Sequence, residues 1–449
     1  MAGEVFPDGF VWGAATASYQ IEGAVREDGR GPSIWDDFSH TPGKVVNGET
    51  GDIACDHYHR WRDDIGLMRD IALPNYRLSL SWPRILPEGT GRIESKGLDF
   101  YDRLIEGLLE NGIEPWLTLH HWDLPSALYD QGGWVSRDTT GAFAAFTDIV
   151  TRRYGDRVKH WITLNEPWCS AFLGYVTGIH APGHRNLKDG LQVMHHLLLA
   201  HGLAMPVIRA NVPDSQAGIC LNPAPIYPYG DSQEDLDAAH REDGLRNRVW
   251  FDPLAGRGYP EDMVDLFRPI WPEIGQNDMT IVAAPTDFLG VNFYNPDYIE
   301  AGNKPPLYSR GVKPPNLPRT DMDWIIEPSG LTDIVTRINT EYGDVWKKQY
   351  IFENGASYDD RLEHGAVDDR KRARYIHDHL VALHKAINNG VPVDGYFVWS
   401  LMDNFEWAEG YSRRFGIIYV DYKTQERTIK RSGKWYAEVV SGNELVSPD

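Results

Sequence analysis

Short runs of β-branched, aromatic and aliphatic residues recur along the chain, and turn-forming residues bound each of them. Runs of this length and composition predict strands. Eight such runs are present, and the strands that they predict span residues 10–19, 75–82, 114–121, 160–166, 216–222, 287–294, 349–353 and 395–403.

Several intervals between these runs show helical periodicity. Apolar residues recur at helical spacing from residue 98 to 108, and Asn111 with Gly112 closes that pattern. A second helix is predicted to begin with Asp138 as its N-cap and to end at Gly155. Strand and helix alternating about eight times indicate a parallel sheet closed into a (β/α)₈ TIM barrel, an α/β fold. We therefore predict a single catalytic domain over residues 1–449, with long loops at the carboxyl ends of the strands.

The proline-rich segment 304–319 is the best candidate for a linker between two domains. The strand pattern resumes after it without a change in composition, which favours a long loop after the sixth strand. Loops at this end of a barrel build the pocket.

The net charge limits the classes of partner. With 44 basic and 65 acidic residues the formal charge is −21. A chain this acidic repels phosphate backbones and anionic membrane surfaces, so we expect neither nucleic acid nor membrane as a partner. The first ten residues lack a basic stretch and an apolar core, and no later segment is expected to approach membrane-spanning length. The oligomeric state stays open.

Cysteine and histidine spacing gives no sign of a metal or a cofactor. Cys55, Cys169 and Cys220 cannot all pair with one another, and no Cys-x-x-Cys or Asn-x-Ser/Thr sequence occurs, which suits a reducing cytoplasm. Three histidine pairs, at 57/59, 195/196 and 377/379, lack a third ligand at fixed spacing. No glycine-rich nucleotide motif is present either. We expect no metal and no cofactor.

Two glutamates stand at the ends of predicted strands. Glu166 precedes Pro167, and Glu353 precedes Asn354 and Gly355, so each carboxylate should project from a strand end. Either glutamate alone would be read as an ordinary surface residue. Two carboxylates in one pocket are the arrangement that glycoside hydrolysis requires, because one protonates the leaving oxygen and the other attacks or activates water.

Other polar and aromatic residues occupy the remaining strand ends. Amide, imidazole and carboxylate groups can hydrogen-bond hydroxyls, and indole rings can cover the apolar face of a sugar. Singly, each has a structural explanation, such as a buried histidine or an ion-paired arginine, but their convergence on one barrel mouth favours a polyol site. These residues are Gln20, Arg77, His121, Trp122, Asn165, Asn292, Tyr294, Trp399, Glu406 and Trp407.

The chain resembles the β-glucosidases of glycoside hydrolase family 1 nearly end to end. The most specific motif is Trp399-Ser-Leu-Met-Asp-Asn-Phe-Glu-Trp-Ala-Glu-Gly-Tyr411, whereas the Asn165-Glu166-Pro167 triplet is shared with other barrel glycosidases. Further matching motifs begin at Phe10, Tyr76, Leu119, Asn292, Glu353 and Arg414.

The resemblance implies a role for each site residue. Glu353 would be the nucleophile and Glu166 the acid/base, with Arg77, Asn292 and Tyr294 orienting them. Trp168 and Trp324 would lie on the aglycone side. The terminal sugar would be held by Gln20, His121, Trp122, Asn165, Trp399, Glu406, Trp407 and Phe415. The resemblance also implies a cis peptide bond between Trp399 and Ser400.

Two positions depart from the family pattern. Phe352 stands where the family usually has a small or hydroxyl residue, and Ile429 replaces a common proline. Strand alternation predicts that Phe352 faces away from the side that Glu353 occupies.

The resemblance therefore implies a retaining exo-β-glycosidase, a β-glucosidase that acts on a small-molecule or oligosaccharide β-glycoside by double displacement. A non-catalytic glycoside-binding barrel is the alternative from another class. A transglycosylating member of the family, in which an alcohol intercepts the covalent intermediate, is the nearer alternative.

Overall fold

Eight parallel strands form a closed barrel in this computed structural model, which describes residues 4–448. Residues 1–3 and 449, which the predicted domain also includes, lie outside the described residues. The barrel strands are β1 (Val11–Ala15), β2 (Asn75–Ser79), β3 (Glu114–His120), β4 (His160–Asn165), β5 (Gln216–Leu221), β6 (Phe288–Asn292), β7 (Gln349–Asn354) and β8 (Val393–Trp399).

Neighbouring strands follow the order of the sequence around the barrel, and β8 closes it by pairing with β1. Because all eight pairings are parallel, the carboxyl ends of the strands meet at one rim. Each predicted strand overlaps one observed strand, so the barrel prediction is confirmed. The first and last predictions extend too far, since β1 ends at Ala15 and β8 at Trp399.

Helices occupy the intervals between the strands. The longer ones are His57–Asp70, Ser95–Glu110, Asp138–Tyr154, Leu187–Asn211, Gln233–Asp243, Ser329–Tyr342, Arg370–Asn388 and Arg431–Gly442. Shorter α-helices span Ser18–Ile21, Ile34–Ser39, Trp82–Ile85, Ser126–Tyr129, Val249–Leu254, Glu261–Leu266 and Asp278–Val282. Cys169–Thr177 and Gly244–Arg248 are π-helices.

Helix ends follow the predicted signals with one exception. The second helix predicted from the sequence starts at Asp138 itself, so Arg137 and not Asp138 is its N-cap. The hydroxyl of Ser136 accepts a hydrogen bond from the backbone N–H of Asp138 at 3.3 Å, which satisfies one of the free N–H groups of the first turn. Gly155 follows the helix as predicted.

The helix Leu187–Asn211 corrects one expectation. It has 25 residues and is apolar enough to cross a membrane by length and composition, although we expected no segment of that kind. Its apolarity has a structural cause, because 78% of its most apolar window is buried inside the fold. The helix packs against Asp138–Tyr154 and against the barrel strands β4 and β5.

Aromatic rings fill the barrel interior. The Phe352 ring lies 5.7 Å from that of Trp116, 5.5 Å from Phe288 and 5.4 Å from Phe397, measured between ring centroids. Gly290 on β6 makes room for it, since a Cβ there would lie 2.2 Å from the Phe352 ring.

The position of Phe352 differs from the prediction. Its ring points into the barrel, and the Arg77 guanidinium lies 5.2 Å from the ring centroid. The register of β7 against β6 shifts between Ile351 and Glu353, so strict alternation does not hold at this point of the strand. Phe352 therefore lies beneath the residues that surround Glu353.

A three-stranded sheet covers part of the rim after β5 and β6. Its strands are Ile226–Pro228, Asp297–Ala301 and Ser309–Val312, in that order. The segment 304–319 thus follows the sixth strand as expected, but it contains a short strand and is not loop throughout. A two-stranded sheet, Ile418–Val420 with Arg427–Ile429, follows β8.

Candidate active site

A cavity of about 1070 Å³ lies at the rim formed by the carboxyl ends of the strands. Most of the predicted site residues line it: His121, Trp122, Glu166, Trp168, Asn292, Tyr294, Trp324, Glu353, Trp399, Glu406, Trp407 and Phe415. Gln20, Arg77 and Asn165 lie behind this surface and are buried.

Glu353 at the end of β7 is held by two donors. Its Oε1 accepts a hydrogen bond from Nη1 of Arg77 at 2.6 Å, and its Oε2 accepts one from the hydroxyl of Tyr294 at 2.8 Å. Burial raises the pKa of Glu353 to about 7, while the Arg77 guanidinium opposes this increase. Both donors favour the ionised carboxylate, which is the form that a nucleophile needs.

Glu166 follows β4 and has a different set of neighbours. Its Oε1 accepts a hydrogen bond from Nδ2 of Asn292 at 2.7 Å, and its Oε2 accepts one from the Cys169 thiol at 3.0 Å. No cation contacts it directly within the described residues. Its backbone has a φ of 43°, a left-handed conformation that is strained for a residue with a Cβ and is common at functional sites.

Arg77 and Asn165 connect the surroundings of the two carboxylates. Nη2 of Arg77 donates to Oδ1 of Asn165 at 2.5 Å, and Nδ2 of Asn292 donates to the same oxygen at 3.0 Å. Asn165 is 1% exposed, so in this structure it orients its neighbours from behind the cavity wall. Direct contact between Asn165 and a sugar stays a prediction.

Three buried polar atoms at the floor of the site lack a hydrogen-bond partner within the described part of the chain: Oε1 of Gln20, Oε2 of Glu406 and Nδ1 of His121. Nδ2 of Asn165 lies 3.0 Å from Nε2 of His121, and this amide donor assigns the imidazole proton to Nδ1. Burial and the Arg77 charge lower the pKa of His121, so the ring is neutral. Buried polar groups are rarely left without partners, and these three are suited to the hydroxyls of a polyol.

The Glu406 carboxyl differs from an ordinary surface glutamate. Burial, together with the charges of Glu353 and Glu166, raises the pKa of Glu406 to about 8. At neutral pH this group is largely protonated and can both donate to and accept from a hydroxyl.

Aromatic rings form one wall of the cavity. The Trp407 ring lies 4.6 Å from that of Trp122, and its plane is nearly parallel to that of His121 at 5.9 Å. Trp399 also stacks on His121, at 5.9 Å, and the peptide bond between Trp399 and Ser400 is cis, as expected. Flat apolar surfaces beside hydrogen-bonding groups suit the two kinds of surface that a sugar ring presents.

The outer part of the cavity has its own aromatic residues. Trp168 and Trp324 are half-buried there. Trp324 packs against Tyr294 at 5.1 Å and against Phe415 at 5.8 Å. The Arg246 guanidinium lies 4.0 Å from the centroid of the Trp168 ring, which is a close cation–π contact.

Sequence reasoning missed several residues that line the same cavity. Asn222 directly follows β5, so the strand-end criterion could have found it. Cys169 lies three residues after Glu166, at the start of a π-helix. Its thiol reaches Glu166 because the chain turns into this helix there. His180 and Arg246 come from segments far from any strand end, and no local pattern marks them.

The histidine pairs have partners that explain them. His57 bonds Asp64 at 2.8 Å and His195 bonds Asp278 at 2.9 Å, both through a ring nitrogen, and the ring of His379 bonds the carbonyl of Tyr375 at 2.8 Å. Between residues 4 and 448 there is no group of three or more metal-ligating side chains that could hold an ion.

Comparison with known proteins finds relatives that match nearly the whole chain. Beta-glucosidase A of Thermotoga maritima is 48% identical over 98% of both chains, and beta-glucosidase A of Acetivibrio thermocellus is 46% identical over 98% of both. A solved structure of the Thermotoga maritima family 1 enzyme superposes with a TM-score of 0.96 at 46% identity, covering 99% of this chain and 100% of the other.

The family model described as Glycosyl hydrolase family 1 matches residues 2–445, which is almost the entire sequence. The chain belongs to glycosyl hydrolase family 1.

Proposed function

We propose that this protein is a retaining exo-β-glycosidase, a β-glucosidase that removes terminal non-reducing β-D-glucosyl residues. The observation that carries the proposal is the pair of buried carboxylates with unlike donors in one cavity. Glu353 has a cationic donor and a hydroxyl, whereas Glu166 has an amide and a thiol. Glycosidases that retain configuration use one carboxylate as nucleophile and the other first as acid and then as base.

In the first step the ionised Glu353 attacks the anomeric carbon while Glu166 protonates the departing oxygen. In the second step Glu166 takes a proton from water, which attacks the glycosyl-enzyme and releases the sugar with its original configuration. Arg77 and Tyr294 aim Glu353 and favour its charged form before attack.

The glucosyl ring would lie on the floor that contains Gln20, His121 and Glu406. Oε1 of Gln20 is an acceptor, Nδ1 of His121 is a donor, and the largely protonated carboxyl of Glu406 can be either. Trp399 and Trp407 supply apolar faces. Asn165, Trp122 and Phe415 complete this proposed subsite. Trp168 and Trp324 would contact the leaving group.

The relatives support this assignment and suggest a class of substrate. One solved structure, at 47% identity and a TM-score of 0.97, is described as the Thermotoga maritima family 1 glycoside hydrolase complexed with a cyclophellitol analogue transition state mimic. A relative from Thermotoga neapolitana, at 47% identity over 98% of this chain, is named 1,4-beta-D-glucan glucohydrolase. We infer that β-linked gluco-oligosaccharides are candidate substrates of this chain. Hydrolysis of such oligosaccharides would give the protein a role in cellulose degradation.

Neither alternative gains support from the relatives. A non-catalytic sugar-binding barrel has no need for both carboxylates, yet both are present and both are oriented by hydrogen bonds. Transglycosylation would use the same intermediate, and among the described residues that line the cavity none favours an alcohol over water.

We further infer a cytoplasmic location, without nucleic acid or membrane as partner. The support is that all three cysteines are free thiols and that the chain is strongly acidic.

Hydrolysis of 4-nitrophenyl β-D-glucoside, followed by proton NMR of the first sugar formed, tests the proposal. A retaining enzyme gives the β-anomer first, and mutarotation then produces the α-anomer. Initial release of α-glucose would indicate inversion, and an absence of turnover on a panel of aryl β-glycosides would contradict the activity itself.

A further inference from the structure

The Glu166 carboxylate is fixed on one side by a thiol. Sγ of Cys169 donates to Oε2 of Glu166 at 3.0 Å, and Nδ2 of Asn222 in turn donates to Sγ of Cys169 at 3.3 Å. Cys169 is 6% exposed and Asn222 is 9% exposed, so both contacts lie at the edge of the cavity and out of bulk water.

A second thiol fixes the other side. Sγ of Cys220 on β5 donates to Oδ1 of Asn292 at 2.9 Å, and Nδ2 of Asn292 donates to Oε1 of Glu166 at 2.7 Å. The two acceptors of Nδ2, Oε1 of Glu166 and Oδ1 of Asn165, fix which way the amide points, and the Cys220 thiol adds a donor to the amide oxygen. If the amide of Asn292 were reversed, its oxygen would face these two oxygens, and both contacts would be repulsive.

Both thiols are suited to act as permanent donors. Burial raises the pKa of Cys169 and of Cys220 well above the usual value, and the nearby carboxylates raise both further. Neither thiol therefore becomes a thiolate in the range where the enzyme would work, and each keeps the proton that it donates.

We propose that Cys169 and Cys220 are positioning residues for Glu166, which they hold through the hydrogen-bonded chain Asn222–Cys169–Glu166–Asn292–Cys220. The inference rests on the proposed function, in which Glu166 is the acid/base. Cys169 contacts the carboxyl of Glu166 itself, and Cys220 contacts the amide that binds this carboxyl. Each acts by restricting the rotation of the Glu166 carboxyl or of the amide that binds it.

A positioning role has a specific kinetic signature. The acid assists departure of the leaving group only where that group is a poor one, so a badly aimed Glu166 slows such substrates selectively. A purely structural defect instead lowers the amount of active enzyme and affects all substrates equally. The ratio of kcat/KM on phenyl β-D-glucoside to that on 2,4-dinitrophenyl β-D-glucoside separates the two cases.

The experiment measures this ratio for the wild type and for Cys169→Ala, Cys169→Ser and Cys220→Ala. We expect Cys169→Ala to lower kcat/KM about tenfold on the phenyl glucoside and less than about twofold on the dinitrophenyl glucoside, since general acid catalysis is worth roughly 10²–10⁴ in full. Cys220→Ala should change the ratio in the same direction by a smaller factor, because an amide intervenes. Cys169→Ser keeps a donor and should restore most of the ratio.

Cys55→Ser is the matched control. Cys55 is also a buried thiol, but it donates to the backbone carbonyl of Asp403 at 3.0 Å and does not contact Glu166 or Asn292. Its substitution should leave the ratio at the wild-type value.

A wild-type ratio in both Cys169→Ala and Cys220→Ala would overturn the proposal, whatever the yield of either variant, because the ratio does not depend on the fraction of folded enzyme. Failure of Cys169→Ser to restore the ratio would also overturn it. If the wild type hydrolysed neither glucoside, the proposed function itself would fail. An active wild type with unchanged ratios would refute only the role of the thiols.

Discussion

Glu166 and Glu353 are the same residue type at equivalent ends of two strands, and their neighbours distinguish them. An arginine and a tyrosine bind Glu353, whereas an amide and a thiol bind Glu166. A cation beside a carboxyl favours the charged form, and neutral donors favour it less. These contacts support the proposed assignment of Glu353 as nucleophile and Glu166 as acid/base, which the family resemblance also implied.

Rescue by azide tests this assignment. Glu353→Gly should abolish turnover of aryl glucosides, and added azide should then yield the α-glucosyl azide, because the small anion attacks from the face that the nucleophile occupied. Glu166→Gly should retain the first step on substrates with good leaving groups, and azide should yield the β-product. Products of the opposite configuration from the two variants would show that the roles are exchanged.

The pH dependence of kcat/KM tests the role of Arg77. The nucleophile must be ionised, so activity falls as the pH drops through the pKa of Glu353, which burial raises to about 7. Because Arg77 opposes this increase, Arg77→Met should move the acid limb of the profile to still higher pH. It should also lower the maximum of kcat/KM by roughly 10²-fold, since one oriented charge is lost from a site that excludes water.

Arg77→Lys serves as the control for Arg77→Met. Lysine keeps the positive charge beside Glu353, but it loses the second hydrogen bond of the guanidinium, to Asn165. Its acid limb should lie nearer to that of the wild type. An acid limb in Arg77→Met at or below the wild-type position would refute this account of the pair.

At the scale of elements, the strands were predictable because their apolar runs end in recognisable turn residues. The barrel and nine of the cavity-lining residues follow from the rule that strand ends converge. The other three, Trp168, Trp324 and Phe415, were implied only by the family resemblance. Phe352 was misplaced because a register shift between Ile351 and Glu353 is a tertiary feature of β7 against β6 with no sequence signature. His180 and Arg246 enter the cavity from long connections, whose paths depend on packing and not on periodicity.

The contact between Gly290 and Phe352 is testable as a pair across two strands. A Cβ on Gly290 would lie 2.2 Å from the Phe352 ring, so Gly290→Ala alone should destabilise the fold by about 1–3 kcal/mol through overpacking. Phe352→Thr alone should also destabilise it, because it leaves a cavity among the interior aromatic rings. The loss in free energy of unfolding of the double variant should be smaller than the sum of the two single losses, by about 1 kcal/mol or more.

Denaturant unfolding of the four proteins gives the coupling energy. Gly141→Ala combined with Phe352→Thr is the control, since Gly141 is exposed on the helix Asp138–Tyr154 and a Cβ there would meet nothing within 4 Å. That pair should be additive. Additivity of Gly290→Ala with Phe352→Thr would mean that the barrel relaxes around the added methyl group.

At the scale of the whole molecule, the active site lowers the stability of the fold in order to hold its carboxyl groups. Burial raises the pKa of Glu353 to about 7 and that of Glu406 to about 8, so each favours the neutral form in the folded protein. In the unfolded chain both ionise near pH 4.5, their ordinary value. The contribution of these two groups to the free energy of unfolding is therefore fully present below pH 4.5, where both are neutral in the folded and the unfolded chain. This contribution is lost as the pH rises toward 8 and both groups favour ionisation.

This linkage predicts that Glu406→Gln stabilises the protein, and that it does so more at pH 8 than at pH 5. Glutamine has nearly the same shape and carries no charge, so it removes the cost of ionisation and leaves the packing intact. We expect a gain of about 1–2 kcal/mol at pH 8 and a much smaller one at pH 5, together with weaker binding of glucosides, the usual exchange between stability and activity. Thermal melts of wild type, Glu406→Gln and the exposed-residue control Glu88→Gln at both pH values measure the effect. A shift in Tm that is equal at pH 5 and pH 8, or larger at pH 5, would show that Glu406 titrates as an ordinary glutamate and that burial at the floor of the site does not hold it neutral.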